Sequence, residues 1–93
     1  MTESISPTQT IAIVEDDLTV RNELNIFLQE NGYKTVVPDH FDDLVQLFCC
    51  EPPDLVLLDV QLGEDDGFDI CRTLRRHFST PIIFVTGKSG EDD

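Results

Sequence analysis

Glu15, Asp16 and Asp17 follow directly on the apolar run Ile11-Ala12-Ile13-Val14, and Asp59 follows the run Leu55-Val56-Leu57-Leu58. A third run, Ile82-Ile83-Phe84-Val85, leads into Thr86. Taken singly, such residues are ordinary: acids favour helix N-termini, and Asp is common in turns. Taken together at one place they mean more. Carboxylates within several ångströms repel one another, and at least one pKa rises unless a cation shares the site. Oxygen ligands without Cys or His suit a hard ion, Mg²⁺ or Mn²⁺, which keeps positions open for phosphate oxygens. A carboxylate beside such an ion can attack phosphorus and form an acyl phosphate. Asp59 stands alone at the end of its run and is the candidate nucleophile. Thr86 is the candidate hydroxyl for hydrogen-bonding a phosphoryl oxygen.

Other metal chemistry fails on spacing. Asp59 to Gly67 is acidic enough to suggest a calcium loop, but an EF-hand needs Gly at its sixth position and Glu at its twelfth. Those positions hold Glu64 and Ile70. Glu64, Asp65 and Asp66 are therefore read as a solvated loop, and Gly67 as a residue chosen for backbone freedom. The three cysteines, Cys49, Cys50 and Cys71, form no Cys-x-x-Cys pair and are odd in number. They read as apolar thiols on helices rather than as a disulfide or zinc set. His40 and His77 have no partner at ligand spacing.

The carboxylates matter only if the fold gathers them. Short apolar runs recur at Ile11–Val14, Lys34–Val37, Leu55–Leu58 and Ile82–Val85, without alternation, as strands covered on both faces require. Helical periods lie between them. Val20, Leu24, Phe27 and Leu28 mark the first, with Asp17 as N-cap and Asn31-Gly32 as the stop. Phe41, Leu44, Val45 and Phe48 mark the second, ending before Pro52-Pro53. Ile70, Cys71, Leu74 and Phe78 mark the third, opening near Gly67 and closing before Pro81. The order β-α-β-α-β-α-β predicts a doubly wound parallel sheet with helices on both faces. In such sheets, sites form beyond the carboxyl ends of the strands. Residues 1–10, polar and without periodicity, read as a flexible N-terminal arm.

The chain has 93 residues and a formal charge of −13. That length allows one domain with one modest core. No apolar run approaches the roughly 20 residues of a membrane span, and no basic start followed by an apolar stretch suggests a secretory signal. The charge argues against direct binding to nucleic acid or to an anionic membrane. A cytoplasmic domain is the expectation.

The motifs Ile11-Ala12-Ile13-Val14-Glu15-Asp16-Asp17, Pro53-Asp54-Leu55-Val56-Leu57-Leu58-Asp59, Gly67 and Pro81-Ile82-Ile83-Phe84-Val85-Thr86-Gly87 occur in an order and spacing that resembles the receiver (CheY-like) domain of two-component response regulators. The Glu-Asp pair and the Gly32-Tyr33 turn look most like regulators carrying a winged-helix DNA-binding domain. The resemblance covers residues 11–93. It implies a flavodoxin-like sheet of order 2-1-3-4. It also implies that Asp59 is the phosphoacceptor for a sensor histidine kinase. Glu15, Asp16, Asp59 and the backbone carbonyl of Gln61 would hold Mg²⁺. Thr86 would be the switch hydroxyl, and Gly87 would leave room for the phosphate.

Two departures from the family pattern stand out. Gly63 occupies the place where the family usually has Pro, which suggests a looser loop after Asp59. No residue matches the family's Lys after a fifth strand, so the expectation is a C-terminally truncated receiver without the usual fourth helix, fifth strand and fifth helix. Such a piece is expected to self-associate by exchanging a strand or element between copies. A receiver-like interaction module that no longer phosphorylates is the alternative; the retained Glu15, Asp16, Asp59 and Thr86 speak against it. A Mg²⁺-dependent phosphohydrolase would want a second carboxylate two residues beyond the nucleophile, where Gln61 stands.

Overall fold

The computed structural model describes residues 9–63 and 65–85. Most of the expected N-terminal arm, Glu64, Thr86 and Gly87 lie outside them. The elements run β1 (Thr10–Val14), α1 (Leu18–Glu30), β2 (Lys34–Val36), α2 (Leu44–Cys50), β3 (Leu55–Asp59), β4 (Gln61–Leu62), β5 (Asp65–Asp66), α3 (Gly67–His77) and β6 (Ile82–Val85). The four long strands form one parallel sheet in the order β2-β1-β3-β6. This is the expected flavodoxin-like order, with β6 as its fourth strand. β1 begins one residue earlier than the sequence suggests, because Thr10 and Asp54 are tied twice. The Thr10 N–H donates to Asp54 Oδ2 at 2.8 Å, and the Asp54 N–H donates to the Thr10 carbonyl at 2.7 Å.

Strand periodicity divides the apolar residues between two cores. Ala12, Val14, Val56 and Leu58 face α2 and α3, where they meet Leu44, Phe48, Cys71 and Leu74. The edge-to-face pair Phe48–Phe78, with centroids 6.3 Å apart, closes that side. Ile11 and Ile13 face the other way, onto Leu28, Leu24, Leu55 and Leu57. Among the described residues α1 alone covers this face, where α2 and α3 cover the opposite one. Phe27, expected on the buried stripe of α1, is accordingly 60% exposed, and only Leu28 of that stripe is fully buried.

The helix starts and stops follow local chemistry. Asp17 caps α1 by accepting from the N–H groups of Thr19 and Val20. Gly32, with φ of +91°, supplies the turn into β2. α2 is shorter than its period suggests and begins at Leu44, with Asp43 as an N-cap residue whose side chain makes no capping bond. Phe41 packs on the core from the preceding turn instead. Cys49 and Cys50 are exposed, and Cys71 alone is buried.

The segment after β3 differs from the expected open loop. Gln61-Leu62 pairs antiparallel with Asp65-Asp66, a two-stranded hairpin that precedes α3. Asp66 then caps α3 by accepting from the Phe68 N–H at 2.8 Å. Gly67 is not there for backbone freedom. It is helical and buried, its N–H donates to the Val60 carbonyl at 2.8 Å, and a Cβ would lie 2.1 Å from the Asp59 carbonyl oxygen. The first turn of α3 thus lies against the backbone that follows β3. Gly67→Ala should cost about 3 kcal/mol, the upper end of overpacking penalties, because the obstructing atoms are backbone rather than flexible side chain. Urea unfolding would show this as a lowered midpoint, and an unchanged midpoint would refute the close approach.

Candidate metal and phosphoacceptor site

In a doubly wound sheet the crevice opens where successive crossovers leave a strand in opposite directions. Here β1 is followed by β2 on one side and by β3 on the other, so the crevice lies beyond the carboxyl ends of β1 and β3. The register fixes what stands there. Val14 pairs with Leu58, so Glu15 falls beside Asp59. Asp16, one residue on, joins them: each of Glu15, Asp16 and Asp59 offers a carboxylate oxygen within 4.8 Å of the others.

The environment of these groups is unequal. Glu15 is 3% exposed and Asp59 is 6%, whereas Asp16 is open to solvent. Burial pushes the Glu15 carboxyl up from 4.5 to about 7, and the neighbouring carboxylates of Asp59 and Asp16 add to the rise. The Asp17 N–H, donating to Glu15 Oε2 at 3.1 Å, opposes it. Among the described residues Asp59 has one backbone donor, the Gln61 N–H, at a long 3.4 Å from Oδ1. Three carboxylate groups therefore converge, two of them buried, with few donors among the described residues to balance them. That donor set fits a hard divalent cation.

The hairpin after β3 frames the crevice. Gly63 has φ of +61°, as a primed two-residue hairpin turn requires at its first position. Proline, fixed near −65°, cannot adopt it. The residue that departs from the family pattern therefore has a backbone conformation closed to proline, inside a paired hairpin rather than a loose loop. It also sits over the site: a Cβ at Gly63 would lie 3.6 Å from Asp16 Oδ2. At the other side Phe68 of α3 rests on Phe84 of β6, with ring centroids 4.9 Å apart. Of the residues singled out by sequence, the structure brings Glu15, Asp16 and Asp59 together and places Gln61 next to them in β4. Thr86 lies outside the described residues; Val85, which precedes it, pairs with Asp59. Spacing did not reveal the close approach of Gly67 or the contact of Gly63 with Asp16, because both depend on where the hairpin folds.

The fold is thus a doubly wound parallel α/β sheet with an acidic crevice at its switch point. The chain belongs to the response regulator receiver domain family, whose model matches residues 11–93. Among its relatives, the transcriptional regulatory protein YxdJ of Bacillus subtilis is 45% identical over 83 residues, which are 89% of this chain and 36% of that protein. The chain thus spans about a third of that relative's length. The BeF₃-activated N-terminal receiver domain of Klebsiella pneumoniae RstA superposes with a TM-score of 0.78 at 34% identity, covering 89% of this chain and 71% of that one. The response regulator TrrA of Thermotoga maritima, solved in complex with Mg²⁺-BeF, superposes with a TM-score of 0.77 at 26% identity, covering 88% and 72%. Among the described residues, no helix is long and apolar enough to cross a membrane.

The raised Glu15 pKa sets a pH dependence for the metal-free protein. Unfolded, Glu15 loses its proton near 4.5; folded, it keeps the proton to about 7. The unfolded state therefore binds fewer protons across that window, and stability falls as pH rises through it. In chelator, the wild type should lose about 3 kcal/mol more than Glu15→Gln between about pH 5 and about pH 8. Parallel pH profiles of the two proteins by urea unfolding would contradict this.

Proposed function

We propose that the chain accepts a phosphoryl group on Asp59 from a sensor histidine kinase and so acts as the input switch of a two-component response regulator. The observation that carries this reading is the convergence of Glu15, Asp16 and Asp59 beyond the ends of β1 and β3. Glu15, Asp16 and Asp59 would hold Mg²⁺ (or Mn²⁺), with the backbone carbonyl of Gln61 completing the protein's share. When bound, the cation supplies positive charge to the phosphoryl oxygens and to the buried carboxylates. The Thermotoga relative, solved with Mg²⁺-BeF, supports that assignment.

The chain's own residues account for the transfer. An Asp59 carboxylate oxygen attacks phosphorus; the O–P bond forms as the P–N bond to the donor's imidazole breaks, and that electron pair returns to the ring nitrogen. Asp59 is anchored by the last pairing of β3, and α3 packs against the carbonyl behind it, so the nucleophile stands on backbone that cannot retreat. Thr86 is the switch hydroxyl that moves toward the new phosphoryl group, and Gly87 leaves room for it. The domain assists its own phosphoryl transfer and hydrolysis but is a signalling element rather than an enzyme. Its product is a change of surface: the acyl phosphate's roughly two negative charges replace the single charge of the Asp59 carboxylate, a net addition of about one that the cation partly offsets.

The remaining assignments follow the relatives. Residues 11–93 form the receiver and residues 1–10 an arm before it, in the cytoplasm, controlling a transcriptional output domain. The likeness to YxdJ, a transcriptional regulatory protein, supports that last point. Self-association is proposed through the thinly covered α1 side of the sheet. There Ile83 of β6 follows the register of Leu57 and is 51% exposed.

Incubation with a small acyl-phosphate donor, read by intact mass spectrometry, should add one phosphoryl group that requires both Mg²⁺ and Asp59. Asp59→Asn should abolish it. Asp16→Asn should weaken Mg²⁺ binding at least tenfold, the scale on which loss of metal-site contacts is felt. Phosphorylation of Asp59→Asn, or wild-type phosphorylation in excess chelator, would refute the reading.

A further inference from the structure

β2 is the outer strand of the sheet on the side away from β3. In a parallel ladder, alternate residues turn their backbone groups to opposite sides. The Lys34 N–H reaches the Gln9 carbonyl at 2.9 Å, so Lys34 and Val36 bond toward β1. Thr35 therefore turns its N–H and C=O to the open edge. Its side chain is occupied elsewhere, donating to Asn25 Oδ1 at 2.6 Å and accepting from Gln29 Nε2 at 3.1 Å on α1. Beside this edge runs a groove of about 820 Å³ between β2, the turn that follows it, and α2. Val37, Pro38 and Leu47 supply its apolar lining, and Asp42, Asp43 and Glu51 its charge.

Among the described residues those three carboxylates have no ion-pair partner. Asp43 precedes α2 without a capping bond, although capping is the ordinary reason for an acid there. Among the described residues the ion pairs are Arg21–Asp39 and Arg72–Asp69, and neither includes them. Arg21, at 4.0 Å, serves Asp39 at the groove's end and leaves the others uncompensated. A sheet edge beside a helix-walled apolar groove is the arrangement in which an extended peptide adds a strand. The charge names the peptide's chemistry. A second copy, carrying −13, would bring like charge to a negative groove.

We propose that the groove between β2 and α2 docks an extended basic–apolar segment of a partner protein, which pairs with the β2 edge. The spacing can be stated. Asp43 and Glu51 flank α2, eight residues apart and so about 12 Å along its axis. An extended chain covers that distance in about four residues. The segment should therefore carry basic residues at i and i+4, with an apolar residue at i+2 on the same face against Val37 and Leu47. This surface is separate from the phosphoacceptor crevice, so the docking does not depend on phosphorylation.

A fluorescein-labelled nonapeptide with Arg-x-Val-x-Arg at its centre, titrated against the 93-residue chain by anisotropy at physiological salt, tests this. Binding should weaken at least tenfold for a composition-matched peptide with adjacent arginines. The same loss is expected when the peptide's backbone N–H groups facing β2 are methylated, and for the Asp43→Asn/Glu51→Gln protein. Glu23→Gln/Glu30→Gln, which removes two exposed charges of α1, should leave binding within about twofold, as surface charges remote from a site do. Four results would overturn the proposal: no binding, equal binding of the two arginine spacings, equal loss in both protein variants, or full binding of the methylated peptide. It would also fall if sedimentation showed self-association abolished by Asp43→Asn/Glu51→Gln, since the groove would then hold a second copy.

Discussion

Glu15 and Asp59 are two carboxylates placed side by side, out of water, by the register of β1 on β3. Burying one charge without a partner is costly, and burying two of like sign more so. The metal-free protein relieves this by holding a proton on Glu15 to about pH 7. That is a compromise enforced by topology: the parallel pairing that assembles the core cannot be kept while the carboxylates move apart. Stability and site chemistry are therefore opposed at one point. The opposition is lifted by whatever brings positive charge to it, which makes the crevice selective for a cation before any ligand geometry is considered.

The backbone around the pair is correspondingly stiff. Asp59 ends a strand paired on both sides, and the first turn of α3 is pressed against its carbonyl, where only glycine fits. The intervening chain closes into a short hairpin through the left-handed residue Gly63. Gly63 and Gly67 thus do different things a few residues apart. One supplies a conformation that side chains avoid, and the other supplies missing volume. A carboxylate held this way has little freedom to reorganise, which is the condition under which positioning would contribute most to the proposed transfer.

The strands and their order were legible because each apolar run is short, β-branched or leucine-rich, and bounded by acids, prolines or glycine. The helical periods gave three helices, but not which of their residues are buried. Phe27 keeps the spacing of a core residue and is exposed; among the described residues the α1 side of the sheet has one helix where the other side has two. Coverage of a face is a property of the assembled layers and leaves no mark on the period of a single helix. The same holds for the site. Glu15 and Asp59 could be named from strand ends, since parallel order alone brings them together. The hairpin at Gln61–Asp66 could not, because its two-residue strands are too short for a period and its acids resemble a solvated loop. The role of Gly67 was misjudged for a related reason. Glycine's two uses look identical in a sequence, and only the distance to the Asp59 carbonyl separates them.

The uneven distribution of charge carries the argument to the edges of the sheet. The chain carries a formal charge of −13, and three of its carboxylates stand around a groove beside an open strand, without ion-pair partners among the described residues. Natural sheet edges are usually blunted by lysine, proline or a covering element. β2 has Lys34 at its start and Pro38 just past its end, while the backbone of Thr35 between them stays free. Proline stops the strand from extending and so limits pairing to a short segment. The acidic surround then repels other copies of the same chain while admitting a basic one. Protection against self-pairing and selectivity for an oppositely charged strand are, at this edge, the same physical arrangement.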